Sequence, residues 1–176
     1  MAIIPDFFIV ALGIPISGGK KHWVGTGFLV GRKEKEHPDK STVYIITNKH
    51  VVKDQNLLYV RFNNSESVGV RDLPMSLNDE LLYTAHPLKN TDIVAVQILP
   101  HVIVDNKLRL SFMDIDDHAI TLQQMKETGV DEGSLVYAIG FPMNLVNDTV
   151  KAPICRLGCI SRVADAFVSP KTAETF

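Results

Sequence analysis

Hydrophobic positions fall in short runs bounded by turn residues. The runs are Phe7–Gly13, Gly27–Val30, Val43–Thr47, Leu57–Phe62, Leu81–Tyr83, Ile93–Leu99, Ser134–Ile139 and Pro153–Val163. Val, Ile, Leu and aromatic residues dominate them, the composition that suits a pleated, partly buried strand. Gly18-Gly19, His37-Pro38-Asp39, Asn63-Asn64-Ser65 and Pro142 lie between them and read as turns or loops. Only Thr121–Glu127 reads clearly as a helix, with strong helix formers and Gly129 as its stop. A short turn is expected just after His50, through Val51, Val52, Lys53 and Asp54. Many short strands and few helices predict an all-β barrel or sandwich, not a βαβ sheet. Ser111–Glu132, polar and partly helical, reads as a connector between two β units. The expected division is residues 1–118 as the first β unit and 119–176 as the connector with the second.

Composition narrows the picture. Of 176 residues, 45% are hydrophobic and 22% charged, which is globular rather than disordered. Eighteen Lys and Arg against 20 Asp and Glu give a net charge of −2. No basic excess exists to collect nucleic-acid phosphates or anionic lipid, so neither partner is expected. Phe7–Ile14 lies between Asp6 and Pro15 and is too short to span a membrane. No positive n-region or small-residue cleavage site precedes it. Cys155 and Cys159 are four apart. On a strand they sit about 13 Å apart, too far for a disulfide. Two free thiols in a reducing compartment follow, and the cytoplasm is the expected location. Lys33–Glu36 reads as a solvated loop between strands.

Candidate chemistry comes from three stretches. Gly25-Thr-Gly-Phe-Leu-Val30 precedes Tyr44-Ile-Ile-Thr-Asn-Lys-His-Val-Val52, where an apolar strand delivers His50 at its end. In Thr91-Asp-Ile-Val-Ala-Val-Gln-Ile98, Asp92 opens an apolar strand. Gly133-Ser-Leu-Val-Tyr-Ala-Ile-Gly-Phe-Pro142 precedes Pro153-Ile-Cys-Arg-Leu-Gly-Cys-Ile-Ser-Arg162. A neutral imidazole takes a proton from a nucleophile when a carboxylate on Nδ1–H fixes its tautomer. His50 and Asp92 are the candidates for those two parts, and their contact would be a tertiary one. The six histidines show no metal-ligand spacing with the cysteines or one another, so no metal site is expected.

These stretches together resemble the trypsin-like serine peptidases, most closely the bacterial branch that includes the HtrA-like enzymes. The resemblance runs from about Phe7 to Val163. It implies two perpendicular six-stranded β-barrels, the first complete and the second partial here, with catalytic residues in the cleft between them. It implies endopeptidase chemistry on peptide or protein substrates through an acyl-enzyme. By carry-over, His50 is the general base and acid, and Asp92 orients it.

The family's nucleophile is a serine in a Gly-Asn-Ser-Gly loop. Ser17 precedes Gly18 but comes before His50; Ser134, Ser161 and Ser169 lack the flanking glycines. In the His–Asp–Ser order the serine follows the aspartate by roughly 90 residues, which puts it near residue 182. The expectation is therefore a peptidase whose nucleophile lies beyond Phe176, inactive over this stretch alone. Cys159 follows Gly158, but Ile160 stands where a glycine is needed, and the strand should bury or pair that position. Two other readings remain. One is a non-catalytic β-barrel acting as a peptide-binding or assembly module. The other is an unrelated β-barrel in which His50 and Asp92 do not meet.

Overall fold

The computed structural model describes residues 8–37, 39–64, 69–78, 83–109 and 111–162. Phe7, Pro38, Ser65, Leu81, Leu82 and everything from Val163 onward, Ser169 included, lie outside the described residues. The first strands are β1 (Ile9–Pro15), β2 (Lys21–Lys33) and β3 (Ser41–Thr47), followed by a one-turn helix α1 (Lys49–Val52). Next come β4 (Leu57–Asn64), β5 (Val70–Ser76), β6 (Tyr83–Ala85), β7 (Val94–Ile98) and helix α2 (Pro100–Asp105). Then follow β8 (Leu108–Arg109), β9 (Met113–Asp114), α3 (Ile115–His118), α4 (Leu122–Glu127), β10 (Leu135–Gly140) and β11 (Ile154–Cys159).

Alternation decides the inner face. β3 buries Val43, Ile45 and Thr47, and β7 buries Val94, Val96 and Ile98. Antiparallel pairing sets Val43 opposite Ile98, Ile45 opposite Val96 and Thr47 opposite Val94, so one register puts all six on the same side. Val10, Leu12, Leu29, Leu58, Val60 and Phe62 complete that core. Each such side chain contributes about 1.5–3 kcal/mol by leaving water. β1 differs, because its run is continuously apolar. Its outward residues Ile9 and Ala11 form a second cluster with Phe141, so both its faces are covered.

The main sheet runs β5-β4-β1-β2-β3-β7-β6 and curls into an antiparallel half-barrel. β8 pairs with β4, and β9 adds a short parallel pairing to β2. A second, two-stranded sheet joins β10 and β11. The molecule is therefore mostly β, with few and short helices.

Several elements depart from the sequence expectation for local reasons. β2 extends well beyond Gly27–Val30, because its polar ends pair with β1 and β3 while facing solvent. Asn63 and Asn64 end β4 rather than forming a turn. β5 carries Arg71, Asp72 and Pro74; it ends the strand order, where a missing N–H is tolerated. The expected helix forms as α4, with Thr121 and Gln124 in a capping box and Gly129 at φ 71° closing it.

The chain divides into two units. The first is Met1–Ala119 with Ile139–Ile154; the second is Ile120–Ala138 with Cys155–Phe176. Ile139–Ile154 is held to the first unit by hydrogen bonds. Phe141 N–H donates to Thr26 Oγ1 at 2.8 Å, Arg61 Nη1 to the Asn147 carbonyl, and Lys151 Nζ to the Ile9 carbonyl. Among the described residues, no helix is long and apolar enough to cross a membrane.

Candidate functional site

The end of β3 carries the site. Thr47 Oγ–H donates to the Thr26 carbonyl at 2.9 Å, tying this strand end to β2. The chain then turns into α1, where Val51 N–H reaches the Asn48 carbonyl at 3.1 Å. Gly25 makes room for this turn, since a Cβ there would stand 2.9 Å from Val51 Cγ2. The glycine of Gly25-Thr-Gly is thus a seat for the helix that holds His50.

Asp92 lies just before the neighbouring strand β7. Thr47 lies opposite Val94, so the residue two before Val94 comes alongside residues 48–50. The Asp92 carbonyl accepts Asn48 Nδ2–H at 3.1 Å and Lys49 N–H at 3.4 Å. Its carboxylate Oδ1 accepts His50 N–H at 2.9 Å, and Oδ2 lies 2.5 Å from His50 Nδ1. Sheet register, not sequence proximity, brings the pair together.

A carboxylate only accepts hydrogen bonds, so the proton between these groups sits on Nδ1 in the neutral imidazole. That leaves the Nε2 lone pair free to accept a proton. Among the described residues no group bonds Nε2. The His50 side chain is 69% exposed and that of Asp92 46%. The hydrogen bond from the His50 ring, then that from its backbone N–H, holds the Asp92 carboxyl below the usual carboxylate range. At such exposure, solvent screens the pair and it adds little stability. Its geometry is set by the donors around Asp92: Asn48 Nδ2–H, Lys49 N–H and His50 N–H.

The candidate nucleophiles belong to other segments of the chain. Ser17 begins a one-turn 3₁₀ helix, Ser17–Gly19. Ser134 Oγ accepts Asp131 N–H at 3.1 Å and faces Asp131 Oδ1 at 3.4 Å. Cys155 and Cys159 are free thiols on β11; Cys159 is exposed, because β11 is exposed along its whole length. Among the described residues, no group of three or more His, Cys, Asp or Glu could hold a metal ion.

The first unit also has an apolar pocket of about 340 Å³, lined by Phe28, Val30, Ile46, Ile93, Met113 and Ile115 with polar members Asp114 and His118; neither His50 nor Asp92 lines it. Sequence reading did not find this pocket. It also missed the part played by Asn48, whose position two before His50 was the available signal. No protein-family model matches the chain, and no curated protein matches it.

Proposed function

We propose that this chain is the base-carrying part of a trypsin-like serine endopeptidase with the double-barrel architecture of that family. The single observation that carries the reading is the Asp92–His50 arrangement. Oδ2 lies 2.5 Å from Nδ1, and the His50 side chain is 69% exposed. The resemblance of Gly25-Thr-Gly-Phe28, Thr47-Asn-Lys-His50 and Asp92-Ile-Val-Ala-Val96 to the HtrA-like branch adds to it.

In this mechanism a serine from outside the described residues attacks the scissile carbonyl. His50 Nε2 takes the hydroxyl proton as the C–O bond forms. Asp92 keeps the imidazole in the accepting tautomer and stabilises the imidazolium. His50 then gives that proton to the leaving amine as the C–N bond breaks, leaving an acyl-enzyme. In deacylation His50 takes a proton from water, which attacks the ester, and returns it to the serine. The substrate is a peptide or protein, and the chemistry calls on no cofactor.

A second reading, a non-catalytic peptide-binding or assembly barrel, is favoured by one fact. None of Ser17, Ser134 and Ser161 lies in a Gly-Asn-Ser-Gly loop. The two part cleanly in one experiment. The protein expressed from its native reading frame is treated with a fluorophosphonate probe and assayed on a denatured protein substrate. Labelling and hydrolysis, both lost in His50→Ala, support the peptidase. Absence of both in the wild type sinks it and leaves the binding module.

A further inference from the structure

We infer that Asn48 is a positioning residue for the His50–Asp92 pair, acting through the backbone of Asp92. The inference rests on the peptidase reading for its purpose, but its geometry stands independently.

Asn48 occupies the N-cap of α1, the position where an asparagine side chain ordinarily accepts the N–H of its own helix's first turn. It makes no such cap. Its Nδ2–H is instead donated across to the Asp92 carbonyl at 3.1 Å. The local use of the side chain is given up for a contact with another strand.

That contact extends the sheet by one rung. Backbone pairing of β3 with β7 ends at Thr47 and Val94. Beyond it, Asp92 is held by the longer Lys49 N–H contact at 3.4 Å and the shorter Asn48 side-chain bond. The carboxylate hangs from the backbone so fixed. With Asp92 and His50 both substantially exposed, their mutual attraction cannot hold this geometry alone. Water competes for each oxygen of Asp92, and only a fixed main chain keeps Oδ1 on His50 N–H while Oδ2 meets Nδ1.

Removing the Nδ2 donor frees the Asp92 main chain to swing, and the Nδ1–H proton loses a well-placed acceptor. The same bond explains why the neighbouring positions alone do not suffice. Thr47 secures β3 to β2, and Gly25 seats α1, but the hydrogen bonds to Asp92 come from Asn48, Lys49 and His50. Asn48 links the helix entry directly to the segment, just before β7, that carries the carboxylate.

The test is proton NMR of the 176-residue chain with ¹⁵N-labelled histidine, following the Nδ1–H of His50. The wild type should show a downfield, slowly exchanging Nδ1–H signal. Asn48→Ala should speed its exchange about tenfold or more, the effect of losing roughly one hydrogen bond. Asn48→Asp keeps the shape without the donor and should do the same. In both, the amide signals of Thr47 and Val94 should stay in place, because the last backbone rung is intact. An unchanged Nδ1–H signal in both variants overturns the inference while the His50–Asp92 pair stands. Loss of the Thr47 and Val94 signals, or failure of both variants to fold, also overturns it, since Asn48 would then be a general structural residue. A wild type without the signal removes the pair itself and the peptidase reading with it.

Discussion

Both carboxylate oxygens of Asp92 serve the same residue: Oδ1 accepts the backbone N–H of His50 at 2.9 Å, and Oδ2 meets its Nδ1 at 2.5 Å. One residue thus fixes both where the imidazole starts and which way its ring faces. A base on an exposed one-turn helix would otherwise sample several rotamers, and only some would present Nε2 to a substrate.

Asp92→Asn tests that double role. An amide in place of the carboxylate no longer presents two acceptors, and the imidazole is left in the wrong tautomer. On the proposed peptidase reading, kcat should fall on the order of 10⁴-fold with KM nearly unchanged, the effect of this change in a Ser-His-Asp triad. Steady-state hydrolysis of a peptide substrate measures it. A loss of less than tenfold would take Asp92 out of the mechanism.

Gly25→Ala should damage the site from behind. The new Cβ would stand 2.9 Å from Val51 Cγ2, so Val51 and the rest of α1 must shift. Displacement of His50 by about 1 Å costs on the order of 10²-fold in rate, and the overpacking about 1–3 kcal/mol in stability. Adding Val51→Ala should restore part of the rate by removing the obstructing methyl groups. Urea unfolding and kcat/KM on the single and double variants give both readings.

Arg61 is the buried charge whose removal should cost most. Its guanidinium bonds Asp72 through Nε at 2.6 Å and Nη2 at 2.8 Å, and stacks 4.5 Å from the Trp23 ring. It also holds the Asn147 carbonyl. Arg61→Ala should lose about 3 kcal/mol, the lower end for breaking a buried pair, because Lys21 still reaches Asp72 at 2.6 Å. Lys21→Ala removes a more exposed partner and should cost less than about 1 kcal/mol. Equal losses in urea melts of the two variants would contradict this ranking.

Acid should weaken the fold in a defined window. Burial pushes the Asp72 carboxyl up, but the hydrogen bonds from Arg61 and Lys21 outweigh it and leave it lowered. Asp114 is lowered first by the Asp116 N–H; Asp92 is lowered first by the His50 ring, but solvent screens that exposed pair and it adds little to the effect. A carboxyl lowered in the folded state binds fewer protons there than when unfolded. Its stabilisation is therefore complete above the unfolded value near 3.9 and is lost as pH falls through the folded value. The urea midpoint set by these groups should begin to drop below about pH 5. Asp72→Asn, less stable at neutral pH, should show a shallower decline. A midpoint that rises on acidification below pH 4 would refute the assignment.

Most strands were legible because their pattern was local. Val43-Tyr-Ile-Ile-Thr47 and Val94-Ala-Val-Gln-Ile98 alternate, and alternation needs no partner to be seen. The helix at Leu122–Glu127 announced itself by its strong helix formers and the glycine after it, and the structure adds a capping box. β5 was hidden by Arg71, Asp72 and Pro74, residues that a strand at the end of the order can carry. α2 was hidden by Val102, Ile103 and Val104, which read as strand formers; Pro100 at the helix start decided otherwise.

The sequence by itself determined the all-β character, the helix at 122–127 and the residue types able to act as base and orienting acid, because periodicity and side-chain chemistry are properties of the chain. The tertiary structure alone decided that His50 and Asp92 touch. That contact depends on Thr47 lying opposite Val94, and register is fixed by which face of each strand is buried. It also decided that Asn48 bonds Asp92 rather than its own helix, and that Gly25 is the seat of α1. Neither is readable from composition or spacing, because each is a relation between backbone segments that only folding brings within a few ångströms.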